Sequence, residues 1–573
     1  MVGGLSAPAH AAEPVSAFPL PGTGFASSAT QISFRGLSRA ELGSIDVRGS
    51  RSGRHAGGLQ EHSDAAGVSF LPTERFTEGE VVTVRTRRDI RGGDRGDFRF
   101  QVARAPSRRP PPSFSAPPSS AGRNAVQRFQ SRPDLLPPTY RVLKNSPGTA
   151  VGHIFLAPKK GSGQNGSMIL DRLGRLVYFR PGPRASERVT DLRVQRYRDA
   201  PVLTWWQGEV RGGEGTGEGV IVDGSYREIA RVRAGNGYAA DLHEFAITPR
   251  GTALVLAYSP VYRMLRTGGR SRRVLVTDGI VQEIDIPTGL VMYEWHSMGH
   301  VDLADSYYPR PRSPRVPWDY FHVNALSEDG GNLLVTARHT WAVYAIARDT
   351  GSVVWRLGGR RSDFAMSEDA SFAWPHDGHR ELDGTISVFD NEASPPVRDR
   401  SRVLSLDLDT GTGEASLKAA IEHPDGLLSP HQGNANRLSN GNVFVGWGGQ
   451  RWFSEFSADG RLLFDARLAR GNDSYRAYRA AWVGQPRGRP RIAARLADAG
   501  GVDVYASWNG ATEIARWRVL AGPDPGSLTP IGVSDWTGFE TRISVKTRAG
   551  YVAAQALDGT GRVLRTSRPK RPR

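Results

Sequence analysis

Four histidines open four similar stretches of the sequence, and each stands a short distance before a glycine. The histidine lies eight residues before the glycine in the first three stretches and ten residues before it in the fourth. Each stretch predicts a strand, a hairpin turn and a second strand, with the histidine at the start of the first strand. The stretches are HEFAITPRGTALVLAY at His243, HVNALSEDGGNLLVTAR at His322, HDGHRELDGTISVFDN at His376 and HQGNANRLSNGNVFVGWG at His431.

Imidazoles gathered in one place can perform three kinds of chemistry. They can bind a metal ion, although few carboxylates stand at matching positions, Glu244 and Asp377 being nearby. They can belong to a cofactor-dependent dehydrogenase of the quinoprotein type. Such enzymes are usually eight-bladed β-propellers with a calcium site, and we find no calcium site in this sequence. They can transfer a group, with one neutral imidazole attacking while other basic groups bind the anion. The formal net charge of +17 and the presence of Arg338 favour this third chemistry.

A second repeat indicates the elements that must position these histidines. An Asp or Ser, a turn with Gly, and an apolar pair near an aromatic residue recur six times, 50 to 64 residues apart. Such a period is typical of a β-propeller, and six copies predict six blades. The first strand of each blade lines the central channel, so the histidines should converge at its mouth; the alternative is that each caps its own turn. The copies begin at Asp171, Asp223, Asp285, Asp349, Asp407 and Ser457.

Composition narrows the class of protein further. The 573 residues are too many for one ordinary core and predict several domains. Abundant Gly and Pro between short apolar runs favour an all-β chain. The absence of cysteine excludes disulfides, thiolate metal sites and cysteine nucleophiles. The excess of arginine indicates either a solvated surface or one that attracts anions, and no nucleic-acid-binding motif accompanies it.

The chain divides by composition into six segments. Ala9-His10-Ala11 is similar to a signal-peptidase site and predicts export. The sequence contains no run of about 18 apolar residues, so no membrane span is predicted. The Gly-rich stretch at 212–219 lacks the Lys-Ser/Thr ending of a phosphate loop and predicts a flexible loop. The predicted segments are a remnant signal peptide at 1–13, a β-sandwich at 14–104, a Pro/Ser-rich linker at 105–138, a six-bladed β-propeller at 139–486, an immunoglobulin- or fibronectin-III-like sandwich at 490–566 and a basic tail at 567–573.

The stretches around the histidines resemble the bacterial arylsulfate sulfotransferases, or ASST-type aryl sulfotransferases, in a broader, actinobacterial-like branch. The likeness covers 139–486 and is strongest over 321–449. It implies an exported six-bladed propeller with a small N-terminal sandwich, which moves a sulfuryl group between phenols without the donor 3′-phosphoadenosine 5′-phosphosulfate. The sequence departs from the family in lacking a disulfide and in adding a C-terminal sandwich. The matching segments are FHVNAL, LLVTARHTWAVYAIARDTGSVVWRLGG, PHDGHRELDGTISVFDN and SPHQGNANRLSNGNVFVGWGG.

The resemblance implies a catalytic group that the chemistry of the residues supports. It makes His376 the nucleophile that becomes sulfated, with His322 and Asn324 from an H-x-N motif, Arg338 from an RH pair, and His243. Sulfuryl transfer needs charge neutralisation and in-line positioning, which the planar Arg338 cation supplies. His322 and His243 can donate to sulfuryl oxygens or protonate the leaving phenolate. Asn324 can orient a histidine, and nearby positive charge keeps His376 neutral.

Four more residues complete the predicted site: His379, His431, Trp374 and Trp341, all as substrate-binding residues. The tryptophans would stack on an aryl ring, with core packing as the alternative. Asp390 and Asn391 are expected only to close the turn after their strand.

The predicted partners are an aryl sulfate donor and a phenolic acceptor. No metal, cofactor, nucleic acid or membrane span is expected, and a homodimer is compatible with the sequence. The alternative function is a non-catalytic exported propeller that binds an anionic or carbohydrate ligand and uses its terminal sandwiches for adhesion.

Overall fold

The computed structural model describes residues 15–107, 110, 125–267, 269–497 and 500–573. Nearly all regular structure in these ranges is antiparallel β-sheet, and the helical elements are a short α1 (Arg39–Leu42) and a 3-10 turn (Leu303–Asp305). No helix in these ranges is long and apolar enough to cross a membrane. The predicted signal-peptide remnant at 1–13 lies outside the described residues.

The N-terminal region consists of two four-stranded sheets that share one apolar core. Their orders are β1-β2-β6-β5 and β4-β3-β7-β8. In β7 the side chains alternate, so that Val82 and Val84 point into the core. The strands are β1 (Ser16–Phe18), β2 (Ile32–Arg35), β3 (Asp46–Gly49), β4 (Gly53–Arg54), β5 (Gly57–Glu61), β6 (Gly67–Pro72), β7 (Val81–Arg85) and β8 (Asp97–Gln101).

The central region holds 26 strands. They are β9 (Tyr140–Asn145), β10 (His153–Lys159), β11 (Gly166–Leu170), β12 (Leu176–Pro181), β13 (Arg188–Tyr197), β14 (Ala200–Arg211), β15 (Glu214–Val222), β16 (Glu228–Val232), β17 (Phe245–Ile247), β18 (Ala253–Thr267), β19 (Arg270–Ile284), β20 (Val291–His296), β21 (Val323–Asp329), β22 (Asn332–Ala337), β23 (Ala342–Ala347), β24 (Val353–Gly358), β25 (Ala365–Met366), β26 (His376–Arg380), β27 (Ile386–Asp390), β28 (Arg402–Asp409), β29 (Glu414–Glu422), β30 (Asn434–Arg437), β31 (Val443–Gly446), β32 (Trp452–Phe456), β33 (Leu462–Leu468) and β34 (Asp473–Ala480).

These strands form six sheets that follow one another along the chain. The first is β34-β10-β11-β12, and the last is β30-β31-β32-β33 with β9 added at its outer edge. The antiparallel pairing of β34 with β10 and of β33 with β9 ties the two ends of the central region together. The four sheets between them are β13 to β16, β17 to β20, β21 to β24, and β26 to β29 with β25 beside β29.

The sixfold repeat marks the turn before the fourth strand of each sheet. At two of the copies the reason is visible: Asp171 Oδ1 accepts hydrogen bonds from the backbone N–H groups of Leu173 and Arg175, and Asp223 Oδ1 accepts from Ser225 and Arg227. An Asp side chain that binds the amides two and four residues ahead favours a tight turn over a continued strand. The sequence repeat is therefore a turn signal that occurs once in each sheet.

The C-terminal region again pairs two sheets around one core, in the orders β35-β36-β39 and β38-β37-β40-β41. Trp517 lies fully inside that core, and Trp508 packs against it while remaining partly exposed. The strands are β35 (Arg491–Leu496), β36 (Val502–Ser507), β37 (Arg516–Gly522), β38 (Thr529–Asp535), β39 (Glu540–Val545), β40 (Tyr551–Leu557) and β41 (Val563–Thr566).

Candidate functional site

The four histidines stand at, or up to three residues before, the first strands of four consecutive sheets. His376 is the first residue of β26, while His243, His322 and His431 precede β17, β21 and β30. The ring centroids of His243 and His322 are 5.0 Å apart and the rings are nearly perpendicular. Both rings lie close enough to His376 to lower its pKa. The common register along the chain therefore places three of the four imidazoles in one cluster.

His376 is buried, and both of its ring nitrogens have hydrogen-bond partners. Nδ1 lies 2.7 Å from Oδ1 of Asn391, and Nε2 accepts a 3.1 Å hydrogen bond from the backbone N–H of Gln432. Asn391 in turn donates from Nδ2 to the carbonyl oxygens of Ser429 and Gln432. Because these bonds fix Oδ1 of Asn391 as an acceptor, the proton of His376 lies on Nδ1 and its lone pair lies on Nε2.

The surroundings of His376 keep it neutral. Burial lowers its pKa well below the usual value, and the positive charge of Arg338 lowers it further. A neutral imidazole with a directed lone pair on Nε2 is the form in which histidine acts as a nucleophile.

Two aspartates hold the neighbouring histidines. Nδ1 of His322 lies 2.5 Å from Oδ2 of Asp319, and Nδ1 of His243 contacts Oδ1 of Asp241. Asp319 also contacts a third histidine, since its carbonyl oxygen lies 2.5 Å from Nδ1 of His339. Each carboxylate or carbonyl accepts from Nδ1–H and leaves Nε2 of the same ring without that proton.

Arg338 reaches the cluster from the hairpin between β22 and β23. Its Nη2 donates to the carbonyl oxygens of Pro430 (3.1 Å) and Ala393 (3.4 Å), and its guanidinium lies 4.9 Å from the ring centre of Trp374. Burial lowers its pKa to about 10, so it remains a cation at neutral pH. No carboxylate within salt-bridge distance of Arg338 occurs among the described residues, so its charge remains available to an anion.

Asn324 has a structural contact inside the site. Its Nδ2 donates a 2.8 Å hydrogen bond to the carbonyl oxygen of Pro375, the residue before His376. Its buried Oδ1 has no hydrogen-bond partner. Asn324 thus holds the entry to β26 and keeps one acceptor free.

The predicted substrate-binding residues occupy different environments. Trp374 is buried, and its Nε1 donates to the carbonyl oxygen of Pro395. Trp341 is only half-buried and stacks on Tyr307 with a centroid distance of 3.7 Å. Trp341 is therefore the more accessible of the two rings, and Trp374 is enclosed.

The two remaining histidines differ as well. His379 lies between carboxylates, with Nε2 3.4 Å from Oε1 of Glu381; burial lowers its pKa, but Glu381 and Asp377 outweigh burial and raise it to about 9. His431 has a buried Nδ1 without a hydrogen-bond partner, and burial, together with the charges of Lys160 and Lys159, lowers its pKa to about 3. His431 is thus a neutral ring beside the cluster, whereas His379 is a cation held by Glu381 and Asp377.

Several residues of the cluster have a left-handed backbone, which costs non-glycine residues about 1–3 kcal/mol each. Such positions persist only where the surrounding contacts over-determine them, and they concentrate at functional sites. They are His322 (φ 50°), Trp341 (φ 55°), Trp374 (φ 56°), Asp377 (φ 55°) and Gln432 (φ 67°).

Sequence reasoning missed the residues that orient the histidines. Asp241 precedes His243 by two positions and Asp319 precedes His322 by three, and an Asp shortly before each His was the available signal. Asn391 was assigned only to a turn, yet it binds His376. The Gly-rich stretch predicted as a flexible loop is instead largely strand β15, and Gly215 in it donates its N–H to Asp241 Oδ2.

The group Asp319, His322 and His339 also has the compactness of a metal site, since one ligand atom from each lies within 4.8 Å of the others. Two features argue for a hydrogen-bonded group instead. Asp319 Oδ2 is engaged with His322 Nδ1, and the positive charge of Arg338 acts on both His322 and His339. A fixed cation beside the group opposes the binding of a second one.

Comparison with known proteins gives one family. A model of the arylsulfotransferase (ASST) family matches residues 193–469. No curated protein matches the sequence. Similar solved structures include a protein of unknown function from Bacteroides caccae (14% identity, TM-score 0.37, 58% of this chain and 100% of that one) and virginiamycin B lyase from Staphylococcus aureus (10% identity, TM-score 0.28, 62% and 95%). At these identities and TM-scores neither structure bears on activity.

Proposed function

We propose, from the match of residues 193–469 to the arylsulfotransferase family, that the chain transfers a sulfuryl group from an aryl sulfate to a phenol through a sulfated His376. The reaction is of the ping-pong type and does not use 3′-phosphoadenosine 5′-phosphosulfate. The six central sheets are, in this proposal, the blades of a six-bladed propeller, flanked by an N-terminal and a C-terminal sandwich. Export remains a prediction from the segment at 1–13.

The observation that carries the proposal is the neutral, oriented imidazole of His376 beside an arginine without a carboxylate partner. Asn391 holds the Nδ1–H of His376, so the lone pair on Nε2 is the attacking pair. Arg338 can bind the sulfuryl oxygens through its planar fork of donors. Since charge on a transferred sulfuryl group is spread over its oxygens, positioning and charge neutralisation are the main demands on the protein.

The first half-reaction forms one bond and breaks one. Nε2 of His376 attacks sulfur, the bond from sulfur to the aryl oxygen breaks, and its electron pair leaves on the phenolate, which takes a proton from a neighbouring histidine. In the second half-reaction a phenol gives its proton back, its oxygen attacks sulfur, and the pair of the S–Nε2 bond returns to His376. Asn324 and the aspartate-held histidines keep this geometry.

Gln432 must release His376 before attack. Its N–H donates a hydrogen bond to the Nε2 lone pair. When sulfur bonds to Nε2, the same N–H lies next to the sulfuryl oxygens and can donate to them. A preorganised backbone donor of this kind typically contributes about 100-fold or more to the rate.

The test is turnover of 4-nitrophenyl sulfate with a phenol acceptor, with intact mass measured on the same samples. Wild type should release nitrophenol and gain one acid-labile sulfuryl adduct, and His376→Ala should show neither. His55→Gln, which changes a histidine of the N-terminal region between β4 and β5, is the matched control and should behave as wild type. Absence of release and adduct in wild type, over several aryl sulfates and phenols, would support the alternative of a non-catalytic propeller that binds an anion or carbohydrate.

A further inference from the structure

Asp319 is the residue on which two histidines of the site are anchored. It is buried, its Oδ2 lies 2.5 Å from Nδ1 of His322, and its Oδ1 accepts from the backbone N–H of His322 at 3.1 Å. Its carbonyl oxygen binds Nδ1 of His339. One residue therefore sets both the backbone and the ring orientation of His322.

The carboxylate of Asp319 remains ionised over the working pH range. Burial raises its pKa, but His322 and His339 outweigh burial and hold the pKa at about 2. An ionised carboxylate can only accept, so the nitrogen of His322 that faces it carries the proton. Nε2 is then the nitrogen that can exchange a proton with a ligand.

His322 is also the more accessible of the two aspartate-held histidines in the cluster. Its side chain is 12% exposed, against 5% for His243. The ring of His243 stands edge-on against both His322 and Tyr475, which leaves it less room for a phenol. The titratable and charged groups that face His322 are Asp319, His243, His339, Tyr258, Arg338 and His376.

We propose that Asp319 is a positioning residue that makes His322 the proton donor and acceptor for the phenol oxygen. This inference rests on the proposed sulfuryl transfer. It identifies His322 as the histidine that transfers the proton and Asp319 as the residue that orients it. In the donor half-reaction, Nε2 of His322 takes up a proton from solvent as the anionic aryl sulfate binds, and gives that proton to the departing phenolate. In the acceptor half-reaction, Nε2 of neutral His322 takes the proton of the incoming phenol. The proton that leaves with the first phenol is thus replaced by the proton of the second, and His322 is protonated again for the next cycle.

The two Asp–His pairs, Asp241–His243 and Asp319–His322, differ in their contacts, and this difference assigns them different roles. Asp241 accepts from the backbone N–H of Gly215 and of His243 in addition to the His243 ring, and it is fully buried. Asp241–His243 is therefore fixed more tightly and suits a ring whose orientation and tautomer stay constant. Asp319–His322 suits a ring that must change its protonation state in each half-reaction.

The experiment is a leaving-group series on wild type, Asp319→Asn and Asp241→Asn. The donors are 4-nitrophenyl sulfate, whose phenol is acidic and leaves without a proton, and unsubstituted phenyl sulfate, whose phenolate needs one. Asp319→Asn should lower kcat by roughly 10-fold with the first donor and by about 10²–10⁴-fold with the second. Asp241→Asn should lower kcat by a similar factor with both donors.

A double variant tests whether Asp319 acts through His322. If it does, Asp319→Asn combined with His322→Gln should lose no more activity on phenyl sulfate than His322→Gln alone. Asp319→Glu should restore part of the rate. Selective ¹⁵N labelling of histidine should show the His322 proton on Nδ1 in wild type and moved to Nε2 in Asp319→Asn.

Two results would overturn the inference and leave the proposed function intact: equal losses on both donors in Asp319→Asn, or the same steepened leaving-group dependence in Asp241→Asn. If Asp319→Asn does not fold, the series on His322→Gln decides, because equal losses there remove the proton role. A wild type that turns over no aryl sulfate instead refutes the proposed function, and the two failures are therefore distinct.

Discussion

The backbone N–H of Gln432 lies 3.1 Å from Nε2 of His376 and occupies the lone pair of the proposed nucleophile. Gln432 has a left-handed backbone, and its side-chain Oε1 accepts a 3.0 Å hydrogen bond from the buried Lys159. The amide is thus aimed at His376 by contacts on both sides of the residue. In the proposed mechanism this N–H passes from Nε2 to a sulfuryl oxygen on attack.

Asn391→Ala should impair both catalysis and stability. The substitution removes the acceptor for His376 Nδ1–H and the donor to Ser429 and Gln432, so the imidazole loses its tautomer and the 432 turn loses its support. We expect sulfuryl transfer to fall about 100-fold or more and unfolding free energy to fall by roughly 1–3 kcal/mol. Turnover of 4-nitrophenyl sulfate and thermal unfolding measure the two effects.

Asn442→Ala is the control for Asn391→Ala. Asn442 is also buried, and its Nδ2 donates to the Gly148 carbonyl (2.9 Å) and to Glu455 (2.7 Å) outside the site. Its loss should cost similar stability but leave turnover per folded molecule unchanged. Equal losses of turnover in the two variants would contradict an orienting role for Asn391.

Arg338→Lys should fail to replace arginine although the charge is kept. A lysine ammonium cannot bond to both the Pro430 and Ala393 carbonyls while lying flat against Trp374, and it offers no planar fork to a sulfuryl group. We expect kcat/KM for aryl sulfates to fall about 100-fold or more. Added guanidinium should partly restore activity to Arg338→Ala, and absence of rescue together with an active lysine variant would show that charge alone is sufficient.

Trp341 and Trp374 should respond differently to substitution. Trp341 is half-buried and stacks on Tyr307, so Trp341→Ala should mainly raise KM for aryl substrates by loss of a stacking surface worth about 0.5–1.5 kcal/mol. Trp374 is buried with its Nε1 bonded to Pro395, so Trp374→Ala should mainly destabilise the protein, by about 3–5 kcal/mol. Steady-state kinetics and thermal unfolding of both variants check this. A change of KM with Trp374→Ala and none with Trp341→Ala would reverse the assignment.

The sequence predicted the local features of the fold better than its long-range pairings. The turns at Asp171 and Asp223 were visible because one side chain organises the backbone four residues ahead, and the hairpins carried alternating apolar residues. The pairing of β34 with β10 joins segments more than 300 residues apart, and no local signal encodes it.

The site was predicted in part for the same reason. His243, His322 and His376 share a register along their strands, so their convergence followed from the repeat. Their partners did not, because Asp319 reaches His322 only through the left-handed backbone at His322, and Asn391 reaches His376 across the β26–β27 pair. Side-chain contacts made by a rare backbone conformation leave no periodic trace in the sequence.

The buried residue His296 should make stability depend on pH. Its Nδ1 lies 2.7 Å from Asp278 Oδ2 and its Nε2 lies 3.1 Å from Glu294 Oε1. Burial lowers its pKa, but the two carboxylates outweigh burial and raise the pKa to about 10. Because this value lies above that of an unfolded histidine (about 6.5), the native protein binds the extra proton between these values. The stabilisation from His296 is therefore complete below about pH 6.5 and is lost as pH rises towards 10.

Urea unfolding of wild type and His296→Gln between pH 6 and 10 measures this contribution. The difference in unfolding free energy between the two proteins should be largest at pH 6 and shrink as pH rises, by an amount on the order of a few kcal/mol. Asn442→Ala removes a buried side chain that does not titrate, so it controls for destabilisation itself and should retain the wild-type slope. A difference between wild type and His296→Gln that stays constant over this range would show that His296 has the same pKa in the folded and unfolded chains.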